Sequence, residues 1–148
     1  MKDFDEAEVR GAVAAYIACA ERASSSGDWN EWAELFTPDA EYYEHEYGRF
    51  HGREAIRQWI TSVMANNTVM DFPVDWYMVD GSRVVLYCQM RLRDPEGKGN
   101  LYQYPAVTIL HYAGNGKFSY EEDIWNPGEG AIVRGEYAKA TQRASTSA

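Results

Sequence analysis

Cysteine is scarce in this chain of 148 residues, which holds only Cys19 and Cys88. The two lie far apart and form no Cys-x-x-Cys pair, a pattern typical of reduced thiols rather than of a disulfide framework. Long apolar runs are absent too: no stretch approaches the roughly 18 residues that a membrane-spanning helix needs, and residues 1–6 lack the apolar segment of a signal peptide. We therefore predict a cytoplasmic protein without a membrane partner.

Basic residues are few as well, since 14 Lys and Arg stand against 23 Asp and Glu and give a formal net charge of −9. No basic run occurs, whereas nucleic acids are bound mainly through Lys and Arg. We therefore expect no nucleic-acid partner. A chain of this length is typical of one domain, and we predict a single domain over residues 1–148 whose tail, from about residue 138 to 148, is disordered.

Aromatic residues are the abundant class. Eleven Tyr, 5 Trp and 5 Phe make up 14% of the chain, although its mean hydropathy is only −0.53. Rings of this size dominate cores and interfaces, and they also line small-molecule pockets. The aromatic residues are therefore the first candidates for the wall of a binding site.

Apolar residues at helical spacing predict three helices in the first half of the chain. From residue 5 to about residue 23, one apolar stripe recurs every three or four positions. A second helix follows over residues 29–36, where Asp28 stands at the N-cap position and Glu31 completes a capping-box spacing. The third has its apolar stripe over residues 56–64. These helices precede most of the predicted strands.

The later part of the chain has the period-two alternation of β-strands, interrupted by turn residues. The predicted strands cover residues 40–47, 69–79, 84–92, 101–112 and 117–125. Consecutive strands joined by short turns form an antiparallel sheet. We therefore predict an α+β fold in which a curved antiparallel or mixed sheet wraps around the three helices and leaves a pocket between the two layers.

Two stretches resemble a known family. One extends from Glu8-Val9-Arg10-Gly11 through Gly27-Asp28 and Asp39-Ala40 to His51-Gly52-Arg53-Glu54-Ala55-Ile56, and the other is the final hairpin from Gly116-Lys117-Phe118 to Trp125. Together with the order of the elements, they resemble the nuclear-transport-factor-2-like superfamily, in particular its SnoaL-like polyketide cyclases and ketosteroid isomerases. The resemblance implies a cone-shaped α+β barrel, a homodimer formed through the open sheet face, and a site without a metal or cofactor.

The resemblance also implies roles for single residues. Tyr16 matches the isomerase tyrosine that donates a hydrogen bond to the developing oxyanion, and Glu44 matches the aspartate that acts as general base. Thr108 stands where the isomerases have a second aspartic acid, so this chain departs from them at that position. The cyclases have an acid on the last strand, and here Asp123 or Glu121 would take that place.

The sequence pattern leads to the same acids. Glu44 shares a strand face with Tyr42, and a carboxylate on the pocket side can act as a general base; with Glu46 beside it, the same strand end also fits an exposed position. Asp123 alternates with Trp125, and an inward register would place it across the pocket from Glu44 as an acid or second base. The alternative is a solvated acidic strand end.

We expect the ligand to contact an aromatic wall. The predicted ligand-binding residues are Tyr42, Trp59, Tyr104, Thr108 and Trp125, the last of which matches a pocket-lining tryptophan of the isomerases. Other rings, namely Trp76, Tyr77 and Tyr87, would cover the outer sheet face in a dimer. Each aromatic residue also fits a purely structural role in a core.

The three histidines do not have the spacing of a metal site. His45 and His111 fall opposite the predicted pocket face, and His51 follows the first strand. We therefore predict no metal and no cofactor. The favoured hypothesis is a cofactor-independent acid/base enzyme of isomerase, cyclase or dehydratase type, acting on a hydrophobic cyclic compound. The alternative is a non-catalytic module for small-molecule binding or dimerisation.

Overall fold

The computed structural model describes residues 3–147. Along the chain its elements are α1 (Glu6–Ser26), α2 (Asn30–Ala33), β1 (Phe36–Glu44), β2 (Gly48–His51), α3 (Arg53–Ala65), β3 (Met70–Asp71), β4 (Val74–Asp80), β5 (Arg83–Leu92), β6 (Tyr102–Gly114), β7 (Lys117–Trp125) and α4 (Pro127–Thr146). Three helices in the first half and a run of strands after them confirm the predicted α+β class.

The strands form one mixed sheet. Their order is β2-β1-β7-β6-β5-β3, and β4 also pairs with β5. All paired neighbours are antiparallel except β1 and β7, which run parallel. Register shifts within β1, β4 and β6 are bulges, which bend a strand. The bent sheet curls around α1 and α3, as predicted.

Helix α1 has a clear start and stop. The Asp5 side chain accepts a hydrogen bond from the Ala7 amide at 2.9 Å, and the helix ends at Gly27, whose φ of 79° is left-handed and suits glycine. It therefore extends past the predicted end at residue 23. Its buried stripe includes Val13 and Tyr16, which places the Tyr16 ring between the helix and the sheet.

Helix α2 is shorter than the predicted range of 29–36. The chain leaves the helix after Ala33 so that Phe36 can pair with Phe118 at the start of β1. Asp28 still binds the first turn, accepting from the Asn30 amide at 2.9 Å. Glu31 closes no capping box because it binds Arg22 on α1 at 2.7 Å.

The predicted strand 69–79 is divided in two. Pro73 lies between β3 and β4, and proline has no N–H to donate to a ladder, although its carbonyl accepts from the Gln89 amide at 2.9 Å. A further short strand, β2, occupies a segment predicted to be a connection and pairs with β1. The strands β5, β6 and β7 lie within two or three residues of their predicted limits.

The core lies between the concave face of the sheet and the helices. Alternate residues of β5 and β6, such as Leu86 and Leu110, are buried against Val9 and Ile56 of the helices. This alternation is the half-buried pattern expected for a sheet that is covered on one face. A polar residue at one of these inward-facing strand positions therefore points into the space between the sheet and the helices.

The end of the chain corrects one prediction. Instead of a disordered tail from about residue 138, helix α4 continues to Thr146. Its N-cap Asn126 accepts from the Gly128 and Glu129 amides at 2.9 and 3.3 Å, Ala140 is fully buried, and Arg143 binds Glu96 at 3.0 Å. The N-cap is a local signal that the sequence displays, whereas the contacts of Ala140 and Arg143 with the body of the fold are tertiary, and a weakly amphipathic sequence gives no sign of them; residue 148 lies outside the described part.

Across residues 3–147, no helix combines the length and the apolar character that a bilayer crossing requires.

Candidate functional site

A cavity of about 130 Å³ lies between the concave face of the sheet and the helices. Its wall is mostly apolar and includes Trp32, Trp59, Met64, Phe72, Leu86 and Trp125. The acidic groups in the wall lie where β1, β6 and β7 meet. Register explains this grouping, because Glu44 lies opposite Asp123 on the paired strands β1 and β7, and Thr108 lies opposite Asp123 on β6 and β7.

Glu121 is the most deeply buried acid of the cluster, with 2% of its surface exposed. The Tyr16 hydroxyl of α1 donates to its Oε1 at 2.8 Å, and the Tyr42 hydroxyl of β1 lies 3.0 Å from the same oxygen. Its other oxygen, Oε2, is buried without a hydrogen-bond partner among the described residues. Glu121 is not part of the cavity wall, so it lies behind the residues that a ligand would touch.

Asp123 lies two residues further along the same face of β7 and is part of the cavity wall. The Thr108 hydroxyl donates to its Oδ1 at 2.6 Å, and the Tyr42 hydroxyl is hydrogen-bonded to its Oδ2. Tyr42 thus bridges the two carboxyl groups of β7. The result is a connected set of Tyr16, Glu121, Tyr42 and Asp123, of which all but Glu121 belong to the cavity wall.

Burial separates the proton affinities of the two acids. It raises the pKa of Glu121 well above the usual range, and the Asp123 charge raises it further, while the Tyr16 and Tyr42 hydroxyls lower it. Burial also raises the pKa of Asp123 to about 6, against the lowering effect of its hydrogen bonds from Thr108 and Tyr42. Burial therefore favours the neutral form of Glu121, whereas Asp123, with its pKa of about 6, is mostly ionised near neutral pH.

Glu44 is a differently bound acid in the same cavity wall. It is 3% exposed, its Oε1 accepts from the Trp125 indole N–H, and its Oε2 accepts from the amides of Glu46 and Tyr47 at 3.0 and 2.7 Å. Three donors suit an ionised carboxylate. They leave about one of its four lone-pair sites free to take a proton.

The other predicted site residues are divided between the cavity and the interior. Tyr16, Tyr42, Trp59, Thr108 and Trp125 all belong to the cavity wall. Tyr104 does not.

Tyr104 is 1% exposed and lies behind Trp125, with ring centroids 5.6 Å apart. Helix α4 covers it there, since a Cβ on Gly130 would come within 3.2 Å of the Tyr104 ring and 3.0 Å of the Trp125 ring. The alternation of β6 correctly turns Tyr104 inward. Its place behind Trp125 and beside α4 then leaves it outside the cavity wall.

The prediction lacked the polar pair Asn67 and Arg134 of the cavity wall. Asn67, just after α3, and Arg134, on α4, meet at the cavity wall, where Arg134 Nη2 donates to Asn67 Oδ1 at 3.2 Å. Glu121 had been considered only as an alternative to Asp123. Its alternation with Asp123 was the available signal, and it places both acids on one face.

The histidines lie outside the cavity wall. His45 contacts Glu122 at 2.7 Å on the outer face, His51 contacts Glu41, and His111 stacks on Tyr120 with centroids 4.6 Å apart. Within residues 3–147, no three His, Cys, Asp or Glu side chains are arranged to hold a metal ion.

Comparison with known proteins agrees with this architecture. Residues 13–121 match the family model of the SnoaL-like domain, whereas no curated protein matches the chain. An M. tuberculosis LEH-like epoxide hydrolase is similar in structure, with 13% identity, a TM-score of 0.67 and coverage of 94% of this chain and 93% of that chain. An NTF2-like protein from Anabaena variabilis has 14% identity, a TM-score of 0.67 and coverage of 85% and 95%.

A third similar structure contains a small molecule. It is TerC, co-crystallized with polyporic acid, with 19% identity, a TM-score of 0.64 and coverage of 85% of this chain and 97% of that chain. At such identities these likenesses establish the fold alone.

Proposed function

Because the chain belongs to the SnoaL-like domain family of the nuclear-transport-factor-2-like superfamily, we propose that it is a cofactor-independent acid/base enzyme acting on a small cyclic compound. The observation that carries this proposal is Asp123, a carboxyl group in an apolar cavity wall with a pKa of about 6. A proton-transfer group works best when its pKa lies near the working pH.

The cavity supports a ring-bearing substrate. Its volume of about 130 Å³ is close to that of cavities, about 150 Å³, that hold one benzene ring. Its aromatic wall would contact the faces of the ring, and Asp123 would face the carbon or oxygen that exchanges a proton. TerC, co-crystallized with polyporic acid, is an example of this fold with a small organic molecule.

The roles follow from the hydrogen bonds. Asp123 takes a proton from one substrate atom and returns it to another, while the Thr108 hydroxyl, 2.6 Å from Oδ1, orients its carboxylate. Tyr16 was predicted to donate to a substrate oxygen; because its hydroxyl already donates to Glu121, we assign it a supporting role. Glu44 was predicted to be the base; because three donors occupy its oxygens, we assign it to orienting Trp125.

The test uses a one-ring ketone, 3-cyclohexenone, whose double bond moves into conjugation when a proton is shifted and whose product is followed by ultraviolet absorbance. We expect the protein to accelerate this reaction and Asp123→Asn to reduce the rate by about 10²- to 10⁴-fold. Glu122→Gln, the neighbouring acid on the outer face, is the matched control and should retain the rate. Full activity of Asp123→Asn would remove Asp123 from the mechanism.

The alternative function is binding without turnover. The three hydrogen bonds that Glu44 accepts and the mainly apolar wall favour it. Native mass spectrometry after mild purification separates the two functions: a retained organic ligand, together with no acceleration of the ketone reaction and no effect of Asp123→Asn, would support a binding module.

The outer sheet face supports a homodimer. Trp76 and Met78 on β4 are 48% and 59% exposed, and Ile124 on β7 is 38% exposed. Trp76 stacks on Tyr87 with ring centroids 5.3 Å apart. Exposed apolar patches of this kind mark interaction sites.

Light scattering after size exclusion tests this interface. We expect the wild type to have the mass of a dimer, Val107→Asp on the outer face of β6 to have the mass of a monomer, and Ile132→Asp on α4, 66% exposed in the wild type, to remain dimeric. A monomeric wild type would contradict the proposal.

Cys19 and Cys88, both buried and free, support the proposal of a cytoplasmic location.

A further inference from the structure

The Tyr42 hydroxyl contacts two carboxyl groups but has only one proton to donate. The Tyr42 hydroxyl lies 3.0 Å from Glu121 Oε1 and is also hydrogen-bonded to Asp123 Oδ2. A phenolic hydroxyl has one proton to donate but can also accept. Both contacts are full hydrogen bonds when Tyr42 donates to one carboxyl group and accepts from the other, which must then be protonated.

Burial identifies the protonated partner. Glu121 is 2% exposed, absent from the cavity wall and leaves Oε2 without a partner among the described residues. A buried carboxylate is costly unless its oxygens are well satisfied. Asp123, by contrast, faces the cavity and has hydrogen bonds to both oxygens. The neutral acid is therefore Glu121, and Tyr42 donates to Asp123.

We propose that Glu121 stores a proton as a neutral carboxylic acid and exchanges it with Asp123 through the Tyr42 hydroxyl. Glu121 is then a positioning residue, because it acts on a substrate only through Asp123. The storage and exchange of the proton stand on the contacts of these three residues. Their use in turnover rests on the proposed function.

The exchange is balanced in bonds and protons. When Asp123 has given its proton to a substrate and is ionised, the Tyr42 O–H proton moves to Asp123 Oδ2. The Glu121 O–H proton moves at the same time to the Tyr42 oxygen. One O–H bond breaks at Glu121 and one forms at Asp123, while Tyr42 ends with one proton as before. The negative charge passes from Asp123 to Glu121.

The surrounding groups hold the charge in either position. After the transfer, the Tyr16 hydroxyl of α1 donates to Glu121 Oε1 at 2.8 Å. Before it, the Thr108 hydroxyl of β6 stabilises ionised Asp123, whereas the Glu44 charge on β1 favours protonation of Asp123. Cys88 of β5 faces the same acids and stays neutral, because burial raises the pKa of its thiol to about 12.

Infrared difference spectroscopy tests the stored proton without a substrate. At about pH 8, where Asp123 is ionised, we expect the wild type to show the carbonyl stretch of a protonated carboxylic acid. Glu121→Gln keeps the shape of the side chain and should lose this band, whereas Asp123→Asn and Glu122→Gln should retain it. Absence of the band in the wild type, or its persistence in Glu121→Gln, would overturn the proposal.

Carbon NMR titration of the side-chain carboxyl groups tests the exchange path. Groups that share a proton titrate in two coupled steps, so we expect two-step curves for both Glu121 and Asp123 in the wild type. Tyr42→Phe removes the bridging hydroxyl and should bring the two steps of each curve closer together, although the direct charge interaction between the two acids remains; curves that match those of the wild type would reject the path through Tyr42. The matched control is Tyr120→Phe, which removes a hydroxyl that donates to Glu122 at 2.8 Å on the outer face and should leave both curves unchanged.

The results of these two experiments distinguish failure of the proton store from failure of the proposed enzyme function. A protonated Glu121 whose titration is coupled to that of Asp123, with no acceleration of the ketone reaction, would retain the proton store and reject the enzyme. Rapid catalysis that requires Asp123, with Glu121 ionised at neutral pH, would retain the enzyme and reject the store. Single-step titration in the wild type would reject exchange through Tyr42.

Discussion

Consecutive acids on β7 have opposite chemistry because they face opposite sides of one strand. On the inner face, burial raises the pKa of Glu121 well above the usual range and that of Asp123 to about 6. On the outer face, hydrogen bonds from His45 and Tyr120 hold the pKa of Glu122 below its usual value. Neighbours in sequence thus differ in proton affinity through the period-two geometry of a strand.

The pKa of an acid on β7 depends less on whether it is Asp or Glu than on which face of the strand it occupies. All three acids accept hydrogen bonds from aromatic or imidazole side chains. The outer acid keeps contact with water, whereas the inner acids exchange water for rings and hydroxyls, and burial is the largest influence on both. The following changes test this difference, from the largest expected effect to the smallest.

The largest effect should come from truncating the inner acid. Glu121→Ala removes the acceptor of the Tyr16 hydroxyl and opens a void in the core, so we expect it to lower the free energy of unfolding by about 2–4 kcal/mol. Glu122→Ala should cost less than about 1 kcal/mol because its contacts lie at the surface. Urea unfolding of both variants measures the difference, and equal losses would contradict it.

The second effect is on the pH dependence of stability. An unfolded aspartate titrates near pH 4, and Asp123 in the folded protein has a pKa of about 6. Between these values the folded state binds more protons than the unfolded state, so this group makes stability fall as pH rises from about 4 to 6. We expect Asp123→Asn to remove that fall, worth about 3 kcal/mol, in urea unfolding measured across this range; identical profiles would exclude it.

A smaller effect should follow from Thr108→Val. The variant keeps the shape but removes the hydroxyl that lowers the pKa of Asp123, so we expect the pKa of Asp123 to rise above its wild-type value. Thr108→Ser retains the hydroxyl and should leave the pKa near about 6. NMR titration of the Asp123 carboxyl carbon measures both variants, and a fall in Thr108→Val would contradict the assignment.

The smallest effect is expected on the outer face. His45→Ala removes the contact of 2.7 Å with Glu122, which is the main cause of its lowered pKa, so the pKa of Glu122 should rise. Stability should change by less than about 0.5 kcal/mol, since the pair is exposed to solvent and salt. A loss as large as that of Glu121→Ala would show that the two faces do not differ in the proposed way.

The periodicity of apolar residues was sufficient to predict much of the fold and which faces of its elements point toward the cavity. The alternation of β7 placed Asp123 and Trp125 on one face, and the stripe of α1 placed Tyr16 against the sheet, as the structure has them. These are local patterns, which a sequence displays directly. The register between β1 and β7, which sets Glu44 opposite Asp123, is a contact between distant segments and has no local pattern.

What the sequence left open depends on tertiary packing. Helix α4 can pack closely on Tyr104 because residue 130 is a glycine; a side chain there would collide with two rings. A glycine in a weakly apolar helix gives no sign of such a contact. The proposed choice between Glu44 and Asp123 as proton-transfer group depends on how many hydrogen bonds each carboxylate accepts. Glu44 accepts three, from the amides of Glu46 and Tyr47 and from the Trp125 indole, and these contacts become visible only in three dimensions.

The parallel pairing of β1 with β7 has a consequence for the order of folding. It joins side chains far apart in the chain, such as Tyr42 and Glu121, separated by 79 residues. Closing so long a loop costs entropy that later contacts must recover. During synthesis, neither carboxyl group of β7 can meet its tyrosines until the last strand has left the ribosome. Since β7 lies between β1 and β6 in the sheet, a nascent chain that lacks it has neither a complete sheet nor the cluster of Glu121, Asp123 and their tyrosines, and both form only when the final strand docks.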